Sequence, residues 1–169
     1  TEAFTAAKAN EDNTTIYVQL NENVISEENK YFSLQSNKSM VLDLNEKTIS
    51  SSDSKYCIYT LSGSSLAVKN GTITVNETKN AGYGFFVKGA LTVENCIIKA
   101  EQTSNNSVYG INGKEGSSLT VRNSSITAKS TESSGSAYGI YADQGTLTVE
   151  KCKISAESSN RNAYGISTY

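Results

Sequence analysis

Histidine, proline and tryptophan are absent from this 169-residue chain. Without histidine the commonest general base and metal ligand is missing, which argues against hydrolytic or metal-dependent chemistry. Charge of one sign is lacking too: 15 basic residues face 17 acidic ones. A nearly neutral chain gives no electrostatic case for binding nucleic acid or an anionic membrane. No apolar run approaches the roughly 20 residues that span a bilayer, so membrane insertion is not expected. No signal-peptide pattern opens the chain, and Thr1 is read as the start of a mature or trimmed chain. One domain is the default at this length.

The cysteines, three in all, do not read as a disulfide frame. Cys96 and Cys152 hold equivalent places two repeats apart, with Ser124 between them. Two strand spacings are about 9.6 Å, beyond the roughly 7 Å limit for bridged Cα atoms. They are expected as small buried residues.

What the chain does have is a repeat. Val18, Leu42, Leu66, Leu91, Leu119 and Leu147 are each followed two residues later by Val or Leu and seven later by Ile, at steps of 24, 24, 25, 28 and 28. A period of this length marks a solenoid, whose units bury their apolar faces only by stacking. In one unit, Leu91 and Val93 alternate with Thr92 and Glu94, the period-2 pattern of a half-buried strand. Cys96, Ile98 and Ala100 resume the alternation after Asn95, predicting a bend and a second strand. A third strand comes from Tyr83-Gly84-Phe85, Tyr109-Gly110-Ile111, Tyr138-Gly139-Ile140 and Tyr164-Gly165-Ile166, with Tyr56-Cys57-Ile58 and Phe32-Ser33-Leu34 as earlier equivalents. Gly63, Gly89, Gly116 and Gly145 fall in the bend before the next repeat, where a left-handed conformation suits glycine.

Three short strands per turn and no helix within the repeat predict an all-β parallel β-helix of six to seven coils over residues 14–169. A leucine-rich horseshoe needs a helix or 3₁₀ segment per unit. Residues 1–13 are assigned as a capping segment, with a short helix near Glu2–Lys8 covering the first coil. The chain ends partway into a seventh turn, so further repeats or a docked partner are expected beyond Tyr169. Asn70, Asn95 and Asn123 share one bend, with Lys151 in the last repeat, and are expected to pass hydrogen bonds between coils. The Ser/Asn/Glu-rich loops before Tyr109, Tyr138 and Tyr164 are read as solvated. N-x-S/T matches such as Asn123-Ser124-Ser125 are no more than chance in so Asn- and Thr-rich a chain.

These units resemble the right-handed β-helix of the pectin-lyase-like superfamily over roughly residues 14–169. Leu42-Asp43-Leu44-Asn45-Glu46-Lys47-Thr48-Ile49 is similar to the L-D-L-N-G-x-T-I segment of repeat-rich bacterial surface and adhesin-like proteins, with Glu46 in place of the usual glycine. Tyr138-Gly139-Ile140-Tyr141 and Leu147-Thr148-Val149-Glu150-Lys151-Cys152 resemble their later coils. The resemblance implies a secreted or cell-surface bacterial protein. It leaves activity open, because the superfamily includes lyases, hydrolases, tailspikes and non-catalytic adhesins.

Outward positions form three files. Lys69, Glu94, Arg122 and Glu150 alternate in sign, which suits an in-register ladder of weak exposed pairs. Read instead as acid and base, Glu94 and Glu150 would stand about 9.6 Å apart, at the upper edge of the range inverting glycosidases use. A lyase of this fold needs clustered carboxylates, and Asp43, Asp53 and Asp143 fall on different coils. Tyr59, Phe86, Asn112 and Tyr141 alternate with inward Ile58, Phe85, Ile111 and Ile140, so they are expected to project outward. There they serve either as ordinary cross-strand packing of exposed aromatics or to stack on sugar rings, with Lys88, Lys114 and Asp143 adding polar groups. Thr92, Thr120 and Thr148 form a third file, a weak match to ice-binding arrays because Ala67 interrupts it. The expectation is therefore a non-catalytic stalk or adhesion module that needs no cofactor, with glycans or a host or cell-surface protein as partner. The alternative is a carbohydrate-active module, either binding only or a lyase or hydrolase.

Overall fold

Alternating apolar residues followed by bends wind the chain into a parallel β-solenoid of about six turns in the computed structural model, which describes residues 14–26, 28–132 and 134–169. The strands are β1 (Thr15–Gln19), β2 (Val24–Ser26), β3 (Phe32–Leu34), β4 (Ser39–Asp43), β5 (Thr48–Ser52), β6 (Tyr56–Thr60), β7 (Ser65–Glu77), β8 (Gly82–Val87), β9 (Ala90–Gln102), β10 (Val108–Gly113), β11 (Ser118–Arg122), β12 (Ser125–Ser130), β13 (Ala137–Ala142), β14 (Thr146–Glu150), β15 (Lys153–Ser158) and β16 (Ala163–Thr168). Each turn contributes three strand segments, and β7 and β9 run through the first bend to supply two of them at once. No helix occurs among the described residues. The expected N-terminal capping helix lies outside them.

One sheet holds ten strands: β1, β4, β7, β9, β11 and β14 in order, with β2, β5, β12 and β15 continuing it around the first bend. The other is the six-stranded sheet β3-β6-β8-β10-β13-β16. Every pairing is parallel, so hydrogen bonds run from turn to turn along the solenoid. Leu66, Leu91, Leu119 and Leu147 stack in register. So do Ile49, Ile73, Ile98, Ile126 and Ile154, and Phe32, Ile58, Phe85, Ile111, Ile140 and Ile166. These columns form one continuous core up to the last turn, where Ile166 is exposed. Each fully buried Leu or Ile in it contributes about 1.5–3 kcal/mol.

The first turns correct the sequence alignment. Leu66 pairs with Met40, and Leu42 pairs with Val68. Val24 rather than Ile25 stacks under Ile49, leaving Ile25 on the surface. Phe32 pairs with Ile58, not Tyr56. At Met40 and Phe32 the shift is of two residues, which keeps every side chain on its own face, so alternation alone cannot detect it. At Val24 it is of one, which turns Ile25 outward. The extra length is taken up at Leu44-Asn45-Glu46-Lys47, where the Lys47 amide donates to the Leu44 carbonyl at 2.8 Å and φ is 49° at Asn45 and 63° at Glu46. Two positive φ values closed by that bond are the pattern of a type I′ turn.

The later turns make the same bend with one left-handed residue: Asn70, Asn95, Asn123 and Lys151, at φ between 49° and 59°. Of the four glycines assigned to the other bend, only Gly63 and Gly116 are left-handed. Gly89 and Gly145 serve close approach instead. A Cβ on Gly89 would lie 2.3 Å from the Ser64 carbonyl oxygen, and one on Gly145 2.6 Å from that of Ser117.

Candidate functional site: an aromatic face on the six-stranded sheet

The element Tyr-Gly-Ile-x breaks strand alternation. Gly84 and Phe85 are both buried, as are Gly110 with Ile111 and Gly139 with Ile140. A Cβ on Gly84, Gly110 or Gly139 would fall 2.5–2.6 Å from the carbonyl oxygen of the equivalent glycine one turn on. Glycine suits this close approach, and a glycine inside a strand marks such a bend. In the earlier turn Cys57 takes the same place, with Ile58 buried beside it. The residues on either side, Tyr83 and Phe86 for example, therefore both reach the outer surface.

Two files of rings result. In the first, Tyr83 stacks on Tyr109 and Tyr109 on Tyr138, each at 4.8 Å between centroids with planes within 5°. Tyr56 and Tyr164 extend this file at 5.2 and 5.4 Å. In the second, Tyr59 lies parallel to Phe86 at 5.3 Å, followed by Asn112 and then Tyr141 in register. Rings of the second file stand nearly perpendicular to those of the first, at 84° for Phe86 on Tyr83 and 81° for Tyr141 on Tyr138. Tyr31 closes one end against Tyr56 and Tyr59, and Tyr169 packs on Tyr141 at the other. Edge-to-face and offset contacts of this kind are worth about 0.5–1.5 kcal/mol each beyond their burial.

Cations border the face. Lys55, Lys88 and Lys114 place Nζ 5.3, 5.7 and 5.9 Å from the ring centroids of Tyr56, Tyr59 and Tyr141. Lys114 also pairs with Asp143 at 2.9 Å. A hydrogen bond from the Lys88 ammonium to the Tyr59 hydroxyl holds Lys88 above the usual lysine range. Burial, then the neighbouring phenols of Tyr109 and Tyr56, push Tyr83 up to about 12. Tyr109 is raised by burial and by Tyr138, and Tyr141 by burial and by Asp143.

The structure brings Tyr59, Phe86, Tyr141 and Lys88 to one surface. Asn112 needs correction: it keeps its place in the file but is only 4% exposed, because its short side chain sits among taller rings that close over it. Sequence reasoning missed the whole first file. The in-strand glycines were the available signal, since they place the preceding tyrosine on the outer face.

The other predicted files lie on the ten-stranded sheet. Asn95 Nδ2 donates to Asn70 Oδ1 at 3.3 Å, and Asn70 Nδ2 to Asp43 Oδ1 at 3.1 Å. Asn123 holds the same bend, but its side chain joins no hydrogen bond among the described residues. Lys69 pairs with Asp43 at 3.5 Å and Arg122 with Glu150 at 2.8 Å. Glu94 lies in register between Lys69 and Arg122 without an ion pair to a described residue. Thr92, Thr120 and Thr148 are in register beside this charge file.

Cys57, Cys96 and Cys152 are free thiols. Burial pushes Cys57 up to about 12 and Cys96 up to about 11. The loops expected to be merely solvated are tied from within. Buried Glu77, Gln102 and Ser130 stack in register. Glu77 Oε1 accepts the amides of Lys79 and Asn80, each at 2.9 Å, while Asn106 Nδ2 and Ser134 Oγ bond carbonyls one turn below. Among the described residues no group of three or more Cys, Asp or Glu side chains is placed to hold a metal ion.

No family model, curated protein or solved structure matches the chain.

Proposed function

We propose that this solenoid is a non-catalytic binding module, a stalk or adhesion segment of a secreted or cell-surface bacterial protein, and that its aromatic face is the surface that meets a glycan. The observation that carries this reading is the double file of rings on the six-stranded sheet, bordered by Lys55, Lys88 and Lys114. Aromatic surface with polar tips and cations at its margin is the chemistry that holds sugars, whose rings present apolar C–H faces and hydroxyl edges. The likeness of Leu42–Ile49 and of the later coils to pectin-lyase-like and adhesin-like repeats supports the same reading. The Arg122–Glu150 pair is an exposed ion pair, and no observation here favours the carbohydrate-cleaving alternative.

A glycan array probed with the wild-type protein and with the Tyr59→Ala/Tyr141→Ala double variant tests the proposal. Retention of one glycan class by the wild type, weakened by about tenfold or more in the double variant with an unchanged circular-dichroism spectrum, is the expected result. Equal retention by both proteins, or none by either, removes it.

A further inference from the structure

The second aromatic file carries a ring at each turn from Tyr59 to Tyr141 except one, where Asn112 stands between Phe86 and Tyr141. Elsewhere the rings cover one another. Tyr83 lies between Tyr56 and Tyr109, Tyr109 between Tyr83 and Tyr138, and Tyr138 between Tyr109 and Tyr164. Phe86 is covered on one side by Tyr59, and Tyr141 on its far side by Tyr169. The sides of Phe86 and Tyr141 that look toward Asn112 have no stacking partner within their own file. They stand two strand spacings apart, about 9.6 Å. A ring taking the vacant place at the tilt of Phe86 lies about 4.8 Å from each, matching the 4.8 Å at which Tyr83 stacks on Tyr109.

The floor of this gap is polar and unsatisfied. Asn112 is 4% exposed and its Oδ1 has no hydrogen-bond partner. A buried acceptor without a donor is unfavourable, and such groups are uncommon enough to need an explanation. Tyr141 touches Tyr109 of the preceding turn edge to face at 5.9 Å, as Phe86 touches Tyr56 at 5.1 Å. Asn112 Oδ1 is itself covered, so the place opens to a ligand only when the half-buried Tyr141 ring turns away from it.

We propose that the Asn112 gap is a subsite for one neutral pyranose ring, a proposal that rests on the aromatic face being the glycan-binding surface. The apolar C–H faces of the sugar take the vacant place between Phe86 and Tyr141, and one of its hydroxyls donates to Asn112 Oδ1. The hydroxyls on the opposite edge stay in water. Neutral sugars are favoured over acidic ones because the nearby cations are engaged, Lys114 by Asp143 and Lys88 over the Tyr59 ring.

Saturation-transfer NMR with the methyl pyranosides of glucose, galactose, mannose and N-acetylglucosamine tests this, with p-cresol as an aromatic probe. The wild type is expected to bind at least one pyranoside with millimolar affinity. Asn112→Tyr, which fills the gap, is expected to weaken that binding by about tenfold or more while the melting temperature stays level or rises. Asn112→Ala, which removes the acceptor, weakens it as well and carries the test if the tyrosine variant fails to fold. Unchanged pyranoside binding by both variants overturns the subsite, and glycan-array retention by the wild type then leaves the broader reading standing. A wild type that binds neither pyranosides nor arrayed glycans removes both proposals. Tighter binding of p-cresol than of every pyranoside assigns the gap to an aromatic side chain of a protein partner and overturns the sugar.

Discussion

Tyr83 and Tyr109 stack with centroids 4.8 Å apart and planes 4° from parallel, so the spacing of parallel strands is repeated in the side chains they carry. Register, ring packing and phenol ionisation are coupled at this pair, because moving either ring uncovers the other.

The first prediction concerns alkaline pH. Tyr83 is raised to about 12, chiefly by burial and then by Tyr109 and Tyr56, against about 10 in an unfolded chain. A raised phenol pKa favours the protonated form in the fold. Its contribution is fully present below about pH 10 and is lost as pH rises through about 12. Urea midpoints should hold steady from pH 7 to about 8, then fall as pH passes the unfolded thiol value of about 8.5, because Cys57 and Cys96 are also raised in the fold. They should fall further above about pH 10, with tyrosinate absorbance lagging behind that of unfolded protein. Full tyrosinate formation at pH 10 in the folded protein would contradict this.

Gly110 and Gly116 should respond differently to alanine. A Cβ on Gly110 meets Ile126 Cγ2 at 2.5 Å and the Gly139 carbonyl oxygen at 2.6 Å, whereas one on Gly116 meets nothing within 4 Å. Gly110→Ala is expected to destabilise by about 3 kcal/mol or more. Gly116→Ala carries only the strain of φ +76°, about 1–2 kcal/mol. Chemical denaturation of the two variants ranks them directly.

Glu46 holds φ 63° at the second central position of a tight turn, a left-handed conformation that favours glycine. Glu46→Gly should raise stability by about 1 kcal/mol, the left-handed strain relieved less the added freedom of the unfolded chain. A lowered melting temperature would show that the carboxylate has a role the turn geometry does not reveal.

Thiol labelling should follow burial. Cys57 and Cys96, raised to about 12 and about 11, offer almost no thiolate near neutral pH. Half-buried Cys152 should react first with a disulfide reagent, and Cys57 only on unfolding. Labelling followed by peptide mass mapping reads the order.

The last four turns were legible in the sequence because each presents one Leu-x-Val strand and one Tyr-Gly element, fixing a single register. The early turns were not. Met40, Leu42 and Leu44 all point inward, so a two-residue motif fits this stretch at either of two positions, and the choice rests on how many residues the Asn45-Glu46 turn absorbs. Tyr59, Phe86 and Tyr141 were readable from alternation. Tyr83, Tyr109 and Tyr138 were hidden because glycine breaks that alternation. The burial of Asn112 depends on the height of its neighbours across turns, which no linear pattern encodes.

The hydrogen bonds of both sheets point along the solenoid rather than across it. Tension applied between the two ends loads the bonds of one turn before those of the next, so the molecule should pay out coil by coil instead of rupturing at once. With 24 to 29 residues between equivalent positions of neighbouring turns, each release adds about 80–100 Å of extended chain, a saw-tooth of near-equal steps in a force trace.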